Sequence, residues 1–274
     1  MANEEHLKIL KQGVEQWNKW RVFNPIRPDL GEARLSDANL SGANLFDADL
    51  SRAFLMGADL NRANLSCAYM HGAYMHGAKL SGANLWGAKL SSASLSDAKL
   101  NGAELGAAEL SHAELSGAEL IGAKLSNADL QGANLTRADL TDADLSRTNL
   151  VETNFTKATI TGCRIYGASA WNVTLVGTAQ HNLIITKDGE PVVTVDNLEV
   201  AQFIYLLLHN EKVRDAIDTI GKKGVLLLGR FTGGRIAVLE RLREELRKRD
   251  FMPMVFNFDK PETKDFTETV RLLA

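Results

Sequence analysis

The sequence predicts a mainly β fold: a long polygonal β-solenoid, a helix ahead of it and a small α/β segment behind it. Three observations carry the prediction: an unbroken five-residue period, an amphipathic stretch before it and a strand–helix–strand pattern after it. From Leu35 to Ile165 every fifth residue is large and apolar. Of these 27 sites, 22 hold Leu; the others are Met70, Met75, Phe155, Ile160 and Ile165. Two places earlier, from Ala33 to Cys163, the matching sites hold 24 Ala with Thr148, Thr153 and Cys163.

A period of five fits neither ordinary element. A helix advancing about 100° per residue would smear these leucines around its circumference. In a straight strand, residues five apart fall on opposite faces. The pattern closes when the Ala and Leu of each unit both point inward and the chain turns a corner before the next unit, so that each unit is one side of a polygon. Small residues stand at the corners, many of them glycine (Gly42, Gly57, Gly72, Gly77, Gly82, Gly87, Gly102, Gly117, Gly122 and Gly132), and supply the backbone freedom a corner needs.

The units ANLSG, ADLSR, AELSG and AKLSN resemble those of the pentapeptide-repeat family over roughly residues 30–175. The resemblance implies a right-handed quadrilateral β-helix with four units per coil, here assigned to residues 29–178. At about 4.8 Å between strands, about seven coils make a rod roughly 32 Å long. Residues twenty apart are then vertical neighbours. Asp59 is expected under Lys79, Lys89 under Glu109, Lys99 under Glu119, and Glu104 under Lys124 under Asp144. Exposed pairs of this kind contribute about 0.2–1 kcal/mol each, so these ladders, and the ring Glu104, Glu109, Glu114 and Glu119, read as a solvated surface. Cys67 and Cys163 fall almost five coils apart, too far for a disulfide.

One part of the outer surface departs from the polar pattern. Phe46, Phe54, Met56, Tyr69, His71, Tyr74, His76 and Trp86 all occupy outward columns of the second to fourth coils, with Phe54 expected under Tyr74 and Met56 under His76. Two readings apply: cross-coil stacking that stabilises the wall, or a surface for a protein partner or a second copy. No acid or thiol stands at a spacing that would make His71 and His76 a metal site.

At the amino end, residues 1–28 read as a cap. Leu7, Leu10, Val14 and Trp17 recur at helical spacing between Glu4 and Arg21, and Asn24-Pro25 and Pro28 end the helix. Residues 179–274 read as a separate α/β part. Short strands are expected at Leu183–Thr186 and Val192–Val195, a helix capped by Asp196 and running through Leu207, and a second helix from Glu211 to Ile220 stopped by Gly221. One βαβ unit follows. Its parts are the apolar run Gly224–Leu228, a Gly-rich turn, a helix from Arg235 to Arg249 with Ile236, Leu239, Leu242 and Leu246 on its packed face, and a strand Met252–Phe258.

A glycine-rich turn opening a helix can cradle a phosphate with free N–H groups and the helix dipole. Gly229, Arg230, Thr232, Gly233, Gly234 and Arg235 are the candidate anion-binding or nucleotide-binding residues, with Asp259 after the second strand. The same turn also serves a plain strand-to-helix connection. The run GVLLLGRFTGGRIAVLERLREELRKRDFMPMVFNFDKPETKDFTETVRLLA resembles the opening of the TIR-like, predicted nucleotide-binding domain that follows pentapeptide repeats in bacterial proteins. Only two strands of a sheet that normally needs four or five are encoded, so the resemblance implies a partial domain. No residue matches the catalytic Glu of NAD-consuming TIR enzymes, and no catalytic residue or cofactor is assigned.

Composition narrows the function. With 31 Lys+Arg against 34 Asp+Glu, the net charge of −3 supplies no basic field for nucleic acid. Residues 31–170 carry 11 bases and 15 acids, well short of the acidic surface of a DNA mimic. The charged start MANEEHLKIL and the lack of a long apolar run exclude a secretory leader and a membrane span, giving a cytoplasmic expectation. The leading expectation is a noncatalytic scaffold that engages a protein partner or its own copy. The alternatives are a nucleotide-binding protein of bacterial signalling or antiphage defence and, third, a topoisomerase inhibitor.

Overall fold

A computed structural model describes residues 2–229 and 234–257. Within it the five-residue period becomes a ladder of parallel bridges between residues twenty apart, from Asp29 with Asp49 to Arg164 with Ile184. The backbone bonds run from coil to coil: Leu105 N–H donates to the Lys124 carbonyl (2.7 Å) and Glu104 N–H to the Ala83 carbonyl (2.9 Å), and the same pair recurs unit after unit. Both inward columns are buried. Leu45, Leu65, Met70, Met75 and Phe155 are each fully buried, as are Ala43, Ala63 and Ala123.

Each corner is a tight turn in which the Ala N–H donates back to the carbonyl of the preceding large residue, as from Ala103 to Leu100 at 3.0 Å. The second residue after each large apolar residue is left-handed, with φ between 54° and 72° at every such position from Glu32 to Asn182. Glycine fills only part of this column. Asp47, Arg62, Ser92 and His112 adopt the same backbone, which their coil-to-coil N–H bonds hold in place. Two glycines answer a further demand. A Cβ on Gly117 would stand 2.3 Å from Asp97 Oδ1, and one on Gly162 would stand 2.1 Å from Asp142 Oδ1, because those carboxylates lie across the glycines of the next coil. Asn and Asp recur before the large residue because their side chains accept the N–H two places on, as Asp144 does from Ser146 (2.9 Å) and Asn64 from Ser66 (3.2 Å).

The polar exceptions in the alanine column share one solution. Thr148 Oγ1 donates to the Leu125 carbonyl (3.0 Å), Thr153 Oγ1 to Leu130 (2.9 Å) and Cys163 Sγ to Leu140 (3.0 Å), each on the coil below. Burial raises the Cys163 pKa from 9.0 to about 12. A thiol whose pKa is raised on folding favours the folded state fully below its unfolded pKa and loses that contribution as pH climbs from about 9 toward 12. Both cysteines are free, Cys163 buried and Cys67 half-buried. With iodoacetamide at pH 8, mass spectrometry should show carbamidomethylated Cys67 and unmodified Cys163, the latter reacting only after denaturation; equal labelling of both in the folded protein would contradict this.

The amino-terminal helix expected as one piece is two, α1 (Glu4–Lys11) and α2 (Val14–Phe23), because Gly13 between them takes φ 115°. The break lets both helices lie against the first coil, whose lower backbone groups have no coil beneath to pair with. Asn3 N–H donates to Asp29 O (3.0 Å) and Asp29 N–H to His6 Nδ1 (3.0 Å). Trp17 Nε1 donates to Asn44 O (2.8 Å), and Asn18 Oδ1 accepts Asn44 N–H (2.7 Å). Arg21 binds the carbonyls of Asn24 (3.0 Å), Ile26 (2.7 Å) and Phe46 (3.0 Å). His6, Leu10, Trp17 and Arg21 are buried; Leu7 and Val14, expected beside them, are only partly so.

At the other end the ladder continues past residue 178 to Ile184, where β1 (Leu183–Ile184) pairs antiparallel with β2 (Thr194–Val195). Helix α3 (Leu198–His209) follows. Its first turn is capped by Asn197, whose side chain accepts Val200 N–H (2.8 Å); Asp196, the expected cap, instead accepts Asn182 N–H (2.8 Å). The chain divides into two compact units between Tyr205 and Leu206.

The second unit contains α4 (Glu211–Lys223), β3 (Gly224–Gly229), α5 (Gly234–Lys248) and β4 (Met252–Asn257). Gly221 does not stop α4, which runs directly into β3. Strands β3 and β4 are parallel, with Gly224 opposite Met252 and Gly229 opposite Asn257. On α5 only Leu239 of the expected packed face is buried, while Ile236 and Leu242 are exposed. Two strands about 4.8 Å apart are too narrow to cover a helix about 10 Å wide.

Candidate functional site

Outward positions flank each large residue, so the side chains there are set by coil and side alone. The bridge columns put Phe54 and Tyr74 on one side, continuing Arg34 and leading to Ser94. Their rings stack with centroids 5.0 Å apart and 12° between planes. Tyr69 stands on the adjacent side, between Asp49 and Lys89. It is half-buried by two cations: Arg27 lies 4.1 Å and Lys89 4.6 Å from its ring centroid, and Arg27 Nη2 donates to its hydroxyl (3.1 Å). Arg27 also forks onto Asp47 (3.3 and 3.2 Å), and that hydrogen bond raises its pKa above the ordinary value.

Phe46 and Trp86 share the next corner, two coils apart. Trp86 lies across Gly106, where a Cβ would approach its Cδ1 to 3.0 Å. Met56 and His76 occupy the corner after Tyr74, with His76 Nδ1 3.8 Å from Asp97 Oδ2; His71 stands between Tyr69 and Tyr74 along the chain. The eight residues therefore form a band around neighbouring sides, not one flat patch. Trp86 is 57% exposed, Phe46 46%, Tyr74 45%, Met56 44% and Phe54 37%, whereas Tyr69 is tied into the wall. Val22, Phe23 and Ile26, read from the sequence only as a helix end and linker, are exposed too. Arg21 joins the Ile26 and Phe46 carbonyls, placing them at the same corner. Counting back twenty from Phe46 reaches Ile26 and would have found it.

The predicted charge columns are also in register: Lys124 Nζ meets Glu104 at 2.6 Å and Lys99 meets Glu119 at 3.7 Å. In the second unit, Gly229 closes β3 and Gly234 opens α5, with Arg235 next. Arg230, Thr232, Gly233 and Asp259 lie outside the described residues. No helix among the described residues is long and apolar enough to cross a membrane.

Comparison with known proteins joins this geometry to a family. The model for pentapeptide repeats matches residues 29–62, 43–82, 68–106, 98–137 and 133–169, in eight copies. The chain belongs to the pentapeptide-repeat family. Its rod is accordingly a right-handed β-helix. Similar solved structures include HetL, a pentapeptide-repeat protein involved in heterocyst differentiation regulation from the cyanobacterium Nostoc, 35% identical over 54% of this chain and 73% of that one, with TM-score 0.36. Rfr23 from the cyanobacterium Cyanothece is 28% identical over 38% of this chain and 58% of that one, with TM-score 0.29. The plasmid-mediated fluoroquinolone resistance protein QnrB1 is 21% identical over 50% and 79%, with TM-score 0.27. None of the curated proteins matches the chain.

Proposed function

We propose that this pentapeptide-repeat protein is a noncatalytic interaction scaffold and that a protein partner docks on the aromatic band of its amino-terminal coils. The observation that carries this reading is the exposure of Phe46, Met56, Tyr74 and Trp86 together on neighbouring coils, in outward columns whose other residues are mostly polar or small. Aromatic side chains and methionine are enriched at interfaces because they bury a large area with few rotatable bonds. Backbone ladders hold their anchoring points, so little ordering entropy is lost on docking. The Phe54–Tyr74 stack braces the wall and presents Tyr74 at once.

The double substitution Tyr74→Ser with Trp86→Ser tests the reading. Thermal unfolding should change little, since both rings are about half exposed, while pull-down partners or the sedimentation coefficient should change. Unaltered partners together with unaltered sedimentation would remove the proposal.

A second reading concerns the TIR-like resemblance of the carboxyl-terminal part. It is favoured by the parallel pairing of β3 with β4 and by the 15-residue helix α5 between them, with Gly229 ending β3 and Gly234 beginning α5. In that reading the segment binds a nucleotide in bacterial signalling or defence. Calorimetric titration of the full chain with NAD, ATP and cyclic nucleotides decides it: heat with any of the three supports the reading, and silence with all three ends it.

A further inference from the structure

We propose that the upper edge of the last coil, from Asn172 to Gly177, is a docking site for an extended apolar–polar–apolar segment of a protein partner, which joins the rod as one more parallel rung. The edge lies on other coils than the aromatic band, so either proposal can fail alone.

Each side of the rod is tied to the rung above by a repeated set of backbone bonds. On the side that carries Thr174, Glu152 N–H donates to Trp171 O, Phe155 N–H to Thr174 O and Lys157 N–H to Val176 O (2.8 Å each), while Thr174 N–H returns to Thr153 O (3.0 Å). One rung higher, the groups that would repeat this set are the N–H groups of Asn172, Leu175 and Gly177 and the Val173 carbonyl. Among the described residues none of these four groups has a hydrogen-bond partner. The other three sides are closed. β2 runs beside Ile184, Asp196 accepts Asn182 N–H (2.8 Å), and Gln202 of α3 accepts Ala170 N–H (2.9 Å).

The core is open at the same edge. Val173 and Leu175 stand in the two inward columns above Thr153 and Phe155, which are fully buried, yet they are themselves only partly covered. Beside them Trp171 is 55% and Val176 67% exposed. An occupant has to bring carbonyls to three N–H groups, an N–H to one carbonyl, and apolar side chains to Val173 and Leu175. An extended segment does all of this at once. A residue placed over Thr174 bonds Val173 O and Leu175 N–H, the residues three before and two after it offer carbonyls to Asn172 and Gly177, and its two immediate neighbours point inward. A helix does not, because its carbonyls are bonded within the helix. A second copy does not either: two such edges laid together would set three donors against one acceptor on each side. The foot of another rod is closed by Trp17, Asn18 and Arg21.

The test uses the full chain and an end-blocked, dye-labelled peptide Ser-Gly-Ala-Asn-Leu-Ser-Gly, whose first five residues repeat the rod's own units at 41–45 and 81–85. Its Asn is the residue that would lie over Thr174. Fluorescence polarisation should record saturable binding, and hydrogen exchange should slow at Asn172, Leu175 and Gly177 and stay unchanged in the amino-terminal coils. N-methylation of the peptide's Asn, whose N–H meets Val173 O, should weaken binding at least about tenfold, whereas N-methylation of its Leu, whose N–H points away from the edge, should change it less than about twofold. Leu175→Lys sets a charge beneath the peptide's Leu and should weaken binding, with thermal unfolding little changed because the position is half-buried. The Tyr74→Ser with Trp86→Ser variant should bind like the parent. Absence of binding, equal effects of the two methyl groups, or slowed exchange elsewhere on the rod would overturn the proposal. So would slow exchange of the three amides in the free chain, since the edge would then already be taken by this chain's own residues or by a second copy.

Discussion

Replacing Leu105 with Asp should destabilise the rod by about 4 kcal/mol or more. Leu105 is 1% exposed in the unbroken apolar column. Its loss removes buried methyl groups and leaves a cavity, which alone amounts to about 2–5 kcal/mol. The incoming carboxylate then has either to stay charged without a partner or to take up a proton in an apolar interior, and both add to the loss. Differential scanning calorimetry should record a fall of roughly 10 °C or more. The control is written into the chain itself: Met70 and Met75 are fully buried in this same column, so Leu105→Met should shift stability by less than about 1.5 kcal/mol. An aspartate variant that melts like the parent would refute the inward placement of the leucines.

The second large effect is expected at Trp17. It is fully buried, its ring lies 5.1 Å from that of Trp20, and its indole N–H satisfies the Asn44 carbonyl on the open underside of the first coil. Trp17→Ala should destabilise by about 3–5 kcal/mol, with hydrogen exchange rising first in the amino-terminal coils, because each coil is supported only by its neighbours. Trp17→Phe keeps most of the packing and loses the hydrogen bond, at about 1 kcal/mol or a little more. Uniform loss of protection along the whole rod in Trp17→Ala would show that the helices do not act as a local cap.

The rod was legible in the sequence because its rules are short-range and repeat. A column of leucines five apart admits one way of turning the chain, and the twenty-residue step then placed Phe54 against Tyr74 and Lys124 against Glu104 without further information. The left-handed corners were legible only where glycine marks them. At Arg62 or His112 the same backbone is enforced by bonds to the next coil, which no local propensity reveals. The ends were harder, since they are defined by what they cover. Gly13 looks like an ordinary helix residue until the first coil requires two helix axes, and Asp196 and Asn197 are equal candidates for a cap until Asn182 claims one of them.

The ladder of twenty-residue steps makes the rod a graduated scale with both a height and a bearing. Inserting four units lifts everything above by one rung of about 4.8 Å and keeps its compass direction. Inserting a single unit turns everything above by a quarter revolution with hardly any rise. A lineage that gains or loses repeats in fours would keep two attachment points on the same flank while spacing them apart, and one that changes by any other number would swing them to different flanks.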